Sequence, residues 1–157
     1  MRVTGSGDSH KGGSREVIVT LDVSAAIELV LKRPKHIPIM HILQQAKWVI
    51  SPSLFIYETA NVMWKYSRLE QYSTDHLFHK TKQALKLVDE YVPPESLFEE
   101  AIALAIQINH AAYDAMYLVT SRRRNAALIT LDSRLANAAA AIKIPLSPVS
   151  KSLLENQ

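Results

Sequence analysis

Short β-branched runs alternate with longer helical segments along this chain, and this alternation limits the possible folds more than any other feature. Strand-like composition occurs at 16–22, 48–51, 91–92, 126–132 and 143–148. Strands that alternate with helices favour a parallel sheet covered on both faces. The sequence therefore predicts a three-layer α/β/α domain with a central, mainly parallel sheet of four or five strands.

Helical patterns fill the intervals between these runs. We predict helices at 24–33, 36–47, 54–70, 73–90, 95–109, 110–124 and 133–141. Asn109 stands where a side chain is able to cap the helix that follows it.

The chain has 157 residues, the length of one ordinary domain. All four glycines lie in residues 1–16, a stretch without apolar periodicity. We interpret this stretch as a flexible N-terminal tail or an expression-vector remnant. The folded domain is predicted at 17–148, followed by a C-terminal tail at 149–157.

Composition excludes several classes of protein. The absence of cysteine rules out disulfides, thiolate metal ligands and thiol nucleophiles. No glycine follows Gly13, so glycine-rich loops that hold nucleotide phosphates are not available in the folded part. No apolar run is long enough to cross a bilayer, and the N-terminus lacks the apolar segment of a signal peptide. We therefore expect no membrane association and a cytoplasmic location.

Two aspartates directly follow predicted strands. Asp22 follows the first strand, and Asp132 follows the strand at 126–132. In a parallel sheet both would lie at the carboxyl edge, where ligands of open α/β sheets bind. Helix capping is the competing interpretation, and it is the stronger one for either residue taken alone.

Two further acids lie within apolar helical patterns. Asp114 shares a helix face with Tyr117 and Leu118, where an unpaired carboxylate is costly to bury. Pairing with an arginine at the edge of that face is the alternative interpretation. Glu58 is the one charged residue in 54–64, and a surface pair with Lys65 is its ordinary explanation.

Four carboxylates brought together would repel one another. Each like-charged pair at ~4 Å costs on the order of 4 kcal/mol at an effective dielectric of ~20, and a divalent cation reverses that sign. Oxygen-only ligands suit Mg²⁺ or Mn²⁺, whereas the lack of cysteine and the scattered histidines argue against zinc. Such a cluster would leave the remaining surface more basic than the net charge of +3 suggests, which suits a polyanionic ligand.

Four runs of the sequence, taken together, point to one family. They are VTLDVSAAIELVL (19–31), ISPSLFIYETANVMWK (50–65), AAYDAMYLVTSRRRNAALITLDSRLANAA (111–139) and IKIPLSP (142–148). In their order and spacing they resemble the PIN-domain ribonucleases of the VapC toxin family. The resemblance implies a pocket that binds Mg²⁺ or Mn²⁺ and cuts single-stranded or looped RNA, formed by Asp22, Glu58, Asp114 and Asp132. It also implies supporting roles for Ser24 and Thr130.

This resemblance implies a metal-dependent endoribonuclease that is the toxin of a type II toxin–antitoxin pair. A cognate antitoxin and a second copy of the chain in a homodimer are the implied protein partners. Lys65 and Arg134 are the first candidates to bind RNA, because each lies within two turns of a predicted site acid. A housekeeping RNA-processing nuclease without antitoxin and a catalytically silent RNA-binding module are the alternative hypotheses.

Overall fold

A parallel sheet forms the centre of the fold in the computed structural model, which describes residues 17–157. The predicted tail at 1–16 therefore lies outside the described residues. Within residues 17–157 the sheet has four strands: β1 (Ile18–Leu21), β2 (Trp48–Pro52), β3 (Glu90–Val92) and β4 (Ala127–Ile129). Their spatial order is β3-β2-β1-β4, and all three pairings are parallel. β1 is thus a central strand between β2 and β4.

Helices cover both faces of this sheet. They are α1 (Val23–Val30), α2 (His36–Gln45), α3 (Leu54–Leu69), α4 (Thr74–Lys86), α5 (Phe98–Ile108), α6 (Ala112–Arg124), α7 (Ser133–Ala141) and α8 (Pro148–Glu155). None of the helices in residues 17–157 has both the length and the apolar content to span a bilayer.

The hydrophobic core has two parts, one on each side of the sheet. One part is built mainly from α1 to α4 and includes Val19, Leu21 and Ile129 from the strands. The other is built from α5, α6 and α7 and includes Leu128. Successive residues of a strand point to opposite faces, so Leu128 and Ile129 contribute to opposite parts. The predicted three-layer α/β/α fold is confirmed.

The predicted strand at 143–148 is reduced to a single parallel bridge between Leu128 and Leu146. The amide of Leu128 donates to the carbonyl of Pro145 (2.8 Å), and the amide of Ser147 donates to the carbonyl of Leu128 (3.0 Å). Pro145 and Pro148 have no amide hydrogen, so the ladder cannot continue through them. The prediction of a strand here is wrong beyond this bridge.

Residues 149–157 are predicted as a C-terminal tail, but the structure places most of them in α8. The Ser147 side chain caps this helix, and Pro148 occupies its first turn, a favourable start for a helix. Val149 and Ser150 are buried. The tail prediction is therefore wrong for this helix, and the limits of the folded domain at 17–148 stay a prediction.

Asn109 ends one helix instead of capping the next. It has left-handed backbone angles (φ 52°) at the end of α5, and Ala111 occupies the cap position of α6. Asparagine tolerates this conformation better than most residues, which explains its place at a helix C-terminus. The predicted helix at 95–109 begins later than expected: a 3-10 turn occupies Pro94–Ser96, and α5 starts at Phe98.

Ser150 attaches α8 to the loop after β4, and this contact predicts a loss of stability on mutation. Its hydroxyl accepts from the amide of Thr130 and donates to the carbonyl of the same residue, both at 2.8 Å. Ser150→Ala leaves both buried backbone groups without a partner, so we expect the free energy of unfolding to fall by about 1–3 kcal/mol in urea denaturation. In the control Ser152→Ala, which loses only a bond to Val149 within the same helix, we expect a change within about 0.5 kcal/mol. Equal losses in the two variants would contradict the prediction.

Candidate active site

The carboxyl ends of β1 and β4 lie side by side, and this brings two distant parts of the chain together. Asp22 directly follows β1, and its amide donates to the carbonyl of Ile129 at the end of β4 (3.0 Å). Asp132 follows β4 after two residues. Both aspartates therefore lie at the edge of the sheet where ligands of parallel α/β folds bind.

Asp22 is held by two hydroxyl groups. Its Oδ2 atom accepts from Ser24 Oγ (2.6 Å) and from Thr130 Oγ1 (2.7 Å), and the residue is 8% exposed. The same hydroxyls accept from the backbone: Ser24 Oγ from the amide of Leu131 (2.9 Å) and Thr130 Oγ1 from the amide of Asp132 (3.0 Å). Because both hydroxyls are fixed by an amide on one side, their hydrogen atoms are directed at the carboxylate. The resemblance implied Ser24 beside Asp22 and Thr130 beside Asp132, whereas the hydroxyls of both residues donate to Asp22. Their supporting roles stay a prediction.

Glu58 lies in the second turn of α3 and is half-buried. The hydroxyl of Tyr117, from α6, donates to its Oε1 atom at 2.7 Å. Tyr117 is only 1% exposed, and burial raises the pKa of its phenol, so it remains a protonated donor. The sequence pattern placed Tyr117 on the inward face beside Asp114 but did not indicate that it holds Glu58.

Asp132 caps α7. Its Oδ1 atom accepts from the amides of Arg134 (2.9 Å) and Leu135 (3.5 Å) at the start of that helix. The helix-capping interpretation is therefore correct for Asp132, whereas the side chain of Asp22 makes no cap hydrogen bond to α1. Capping does not remove Asp132 from the site, because the residue also lines the cavity described below.

Asp114 lies in the first turn of α6 and is partly buried. Its Oδ2 atom is 3.1 Å from Nδ1 of His110, one turn earlier in the chain. The sequence offered an arginine as the alternative partner, but this contact is with a histidine, and Arg134 acts only through a weaker electrostatic attraction.

A cavity of about 430 Å³ opens at this edge of the sheet. We call it the acid cavity, and its polar and aromatic lining consists of Asp22, Ser24, Glu28, Arg33, Glu58, Tyr66 and Asp132. Apolar side chains of α1 and α3 complete the wall. Asp114 is not part of this lining, but its charge interacts with that of Asp132, so it lies beside the cavity.

Asp22, Glu58 and Asp114 have raised pKa values. Burial is the main cause for Asp22, Glu58 and Asp114, and in each case other members of the set raise the pKa further. The hydrogen bonds to Asp22 and the bond from Tyr117 to Glu58 oppose the shift. The mutual repulsion inferred from the sequence therefore operates in the folded chain, and a cation would relieve it.

The acids share one region but do not form a finished coordination sphere. In the part of the chain that the structure describes, no group of three or more histidine, aspartate or glutamate side chains is arranged to hold a metal ion. Asp114 is turned toward His110, and Asp132 toward the amides of α7. The donor types still fit a hard cation, because they are carboxylate and hydroxyl oxygens with partly buried negative charge. The four-acid metal set stays a prediction.

The predicted RNA-binding residues do not line the acid cavity. Lys65 is exposed on α3. Arg134 is exposed and lines a neighbouring cavity of about 400 Å³ together with His110 and Asn137. The basic residue in the wall of the acid cavity is instead Arg33, which follows α1 in a turn where no sequence motif singled it out.

Comparison with known proteins identifies the family. The family model of the PIN domain matches residues 19–141. The chain belongs to the PIN domain family. This PIN domain is similar to Ribonuclease VapC3 of Pyrobaculum aerophilum, with 26% identity over 130 residues, which are 81% of this chain and 98% of the relative.

The fold of this PIN domain is also similar to the crystal structure of PAE2754 from Pyrobaculum aerophilum. The TM-score is 0.66 at 21% sequence identity, and the similarity covers 92% of each chain. The resemblance to PIN-domain ribonucleases of the VapC kind, inferred from the four sequence runs, is confirmed.

Repulsion within the acid cavity predicts that removing one charge stabilises the metal-free PIN domain. Glu58→Gln keeps an oxygen that accepts from Tyr117 but removes a negative charge close to Asp22 and Asp132. We expect the free energy of unfolding to rise by on the order of 1 kcal/mol in EDTA at low salt, measured by urea denaturation. The control Glu95→Gln, at an exposed residue in the 3-10 turn, should change it by less than about 0.5 kcal/mol. Loss of stability in Glu58→Gln would show that repulsion does not dominate at this position.

Proposed function

We propose that this chain is a metal-dependent endoribonuclease that hydrolyses RNA phosphodiester bonds and acts as the toxin of a type II toxin–antitoxin pair. The observation that carries the proposal is the acid cavity, where Asp22, Glu58 and Asp132 meet at the carboxyl edge of a PIN-domain sheet. The relative named Ribonuclease VapC3 supports the same reaction class. A cytoplasmic location, where RNA is accessible, goes with this function.

Asp22, Asp114 and Asp132 would hold the principal Mg²⁺ or Mn²⁺ ion, directly or through water. Such an ion, when bound, supplies charge neutralisation at the phosphate and a bound water of lowered pKa. Asp22 is already oriented for this role by its two hydroxyl donors. The Oδ2 atom of Asp114 lies 3.1 Å from Nδ1 of His110, which leaves its Oδ1 atom for the ion.

Glu58 would orient the attacking water or accept its proton. A general base works best when its pKa approaches the operating pH, and burial raises the pKa of Glu58 in that direction. Tyr117 fixes the side chain by donating to Oε1. In-line attack would leave a 5′-phosphate and a 3′-hydroxyl, with no covalent intermediate on the protein.

The proposed protein partners are a cognate antitoxin and a second copy of the chain in a homodimer. Exposed apolar side chains support protein partners, because clusters of them are typical of protein interfaces. One cluster lines a groove between α3 and α4 and includes Trp64 and Phe78, which are 54% and 62% exposed. Another lies on α5, where Ile102 and Ile106 are one turn apart and 49% and 77% exposed.

Cleavage of a mixed-sequence RNA pool tests the reaction. We expect cutting with Mg²⁺ or Mn²⁺, none in EDTA, and rates at least about 100-fold lower for Asp22→Asn and Asp114→Asn, because losing a metal ligand costs at least as much as losing a residue that supports one. The matched control is Asp75→Asn, an exposed aspartate in the first turn of α4, which should cut at the normal rate.

Several results of this experiment would redirect the proposal. Equal cutting by Asp114→Asn would point to a contaminating nuclease or to a different site. RNA binding without cleavage under any metal would favour a catalytically silent module. Cleavage without growth inhibition on expression, and without a small partner gene beside this one, would favour an RNA-processing nuclease.

Metal binding is testable without the reaction. Mn²⁺ should raise the unfolding temperature of the wild-type chain, because a ligand at about 100 times its dissociation constant stabilises the folded state by roughly 2.7 kcal/mol. The rise should be largely lost in Asp22→Asn, since two hydroxyl donors fix that carboxylate at the centre of the predicted site. An equal rise in both proteins would place the ion elsewhere.

A further inference from the structure

Arg33 provides a positive charge in the wall of the otherwise negative acid cavity. Among the described residues that line this cavity, it is the one lysine or arginine. Its Nη2 atom is 2.7 Å from Oε1 of Glu70, and its side chain remains 32% exposed. A guanidinium has five N–H donors, and a bond through one nitrogen leaves others for a second anion.

Backbone hydrogen bonds fix the turn that carries Arg33. Lys32 has left-handed backbone angles (φ 51°), and the amide of Arg33 donates to the carbonyl of Glu28 (2.9 Å). The carbonyl of Arg33 then accepts from the amide of His36 (2.9 Å). The turn holds the backbone of Arg33, and the contacts with Glu70 and Tyr66 restrain its guanidinium, so less conformational entropy is lost when it binds a ligand.

A row of aromatic rings begins at Arg33 and ends at His76. The guanidinium carbon is 4.6 Å from the centre of the Tyr66 ring. The ring of Tyr66 meets that of Tyr72 edge to face at 6.4 Å (71°), and the ring of Tyr72 is stacked on that of His76 at 5.1 Å. We call these three rings and Arg33 the aromatic row.

The far end of the aromatic row is basic. Tyr72 and His76 line a second cavity, of about 290 Å³, together with Lys32 and Lys80. Positive side chains therefore lie at both ends of the row, and rings lie between them. Proteins that bind single-stranded nucleic acid combine a basic groove with aromatic rings on which unpaired bases stack.

We propose that the aromatic row is a binding subsite for single-stranded RNA, in which Arg33 binds a backbone phosphate beside the acid cavity and the tyrosine rings stack unpaired bases. This inference rests on the proposed nuclease function, because it assigns the substrate path of that same site. The acid cavity repels phosphate, and Arg33 offsets this repulsion where the strand passes the cavity wall. The subsite replaces Lys65 and Arg134 as the first place to test RNA contacts.

A purely structural ion pair is the competing explanation for Arg33. In that case the guanidinium ties the turn after α1 to Glu70 at the end of α3, and losing either partner has the same consequence. An RNA-binding arginine behaves differently, because Glu70 then competes with phosphate. Arg33→Gln and Glu70→Gln should therefore have opposite effects on RNA affinity.

The test measures fluorescence anisotropy of a labelled RNA of mixed sequence and about 12 nucleotides, with the full chain and in EDTA so that no cleavage occurs. We expect Arg33→Gln to weaken binding about 10-fold and to lower the slope of log K against log salt by about 0.7, the value for one phosphate contact on a single strand. Tyr66→Leu should weaken binding about 10-fold without changing the slope, because stacking is uncharged. Glu70→Gln should bind RNA more tightly than the wild-type chain.

Arg123→Gln is the matched control. Arg123 forms a similar surface pair, with Nε 2.6 Å from Oε2 of Glu100. It lies in the last turn of α6, at the opposite end of that helix from the site residue Asp114. We expect its RNA affinity to equal that of the wild-type chain. Tyr66→Leu should also matter less for a duplex of the same length, whose bases are already stacked on each other.

The outcomes separate this subsite from the nuclease assignment. If Arg33→Gln cuts RNA at the wild-type rate and binds it with wild-type affinity, the subsite is overturned and the nuclease assignment stands. If Arg33→Gln and Glu70→Gln weaken RNA binding equally and lower the unfolding temperature equally, the contact is a structural ion pair. That result also overturns the subsite. A wild-type chain that neither binds nor cuts RNA overturns the proposed function and the subsite together.

Discussion

The two hydroxyl bonds to Asp22 join the strand ends on which the rest of the site depends. Ser24 comes from α1 and Thr130 from the end of β4, and both donate to the same carboxylate oxygen. Each hydroxyl is in turn fixed by a backbone amide of the loop after β4. A buried carboxylate without such donors would cost several kcal/mol or would be protonated. These bonds therefore keep Asp22 in place and hold the loop that carries Asp132 beside it.

The hydrogen bonds around Asp22 continue to α8, the last helix of the described residues. Ser150 binds both the amide and the carbonyl of Thr130, so α8 holds the backbone from which a site hydroxyl projects. A helix that the sequence suggested to be a tail is thus two contacts away from Asp22. Stability in this region and order in the acid cavity are consequently linked, since loosening α8 frees the loop that orients the carboxylate.

The sequence predicted the layers of the fold well because they follow from local pattern. The alternation of strand-like runs with helices predicted the parallel sheet, and the aspartates that follow two of these runs predicted the edge at which Asp22 and Asp132 lie. Individual side-chain bonds between distant helices were not predicted, because no local pattern encodes them. The bond from Tyr117 to Glu58 joins residues 59 positions apart in different helices. Arg33 was missed for the same reason, since its role depends on a cavity wall that forms only in the folded chain.

The cap that Asp132 provides and its place in the acid cavity are compatible, because a carboxylate has two oxygens. Both amides of α7 donate to Oδ1, and Tyr117 likewise donates to a single oxygen of Glu58. One oxygen thus anchors each side chain, and the other remains as a ligand for a cation. Anchored side chains lose little freedom when an ion binds, and Asp114 likewise contacts His110 through one oxygen, Oδ2. The acid side chains are therefore largely held in place before an ion binds.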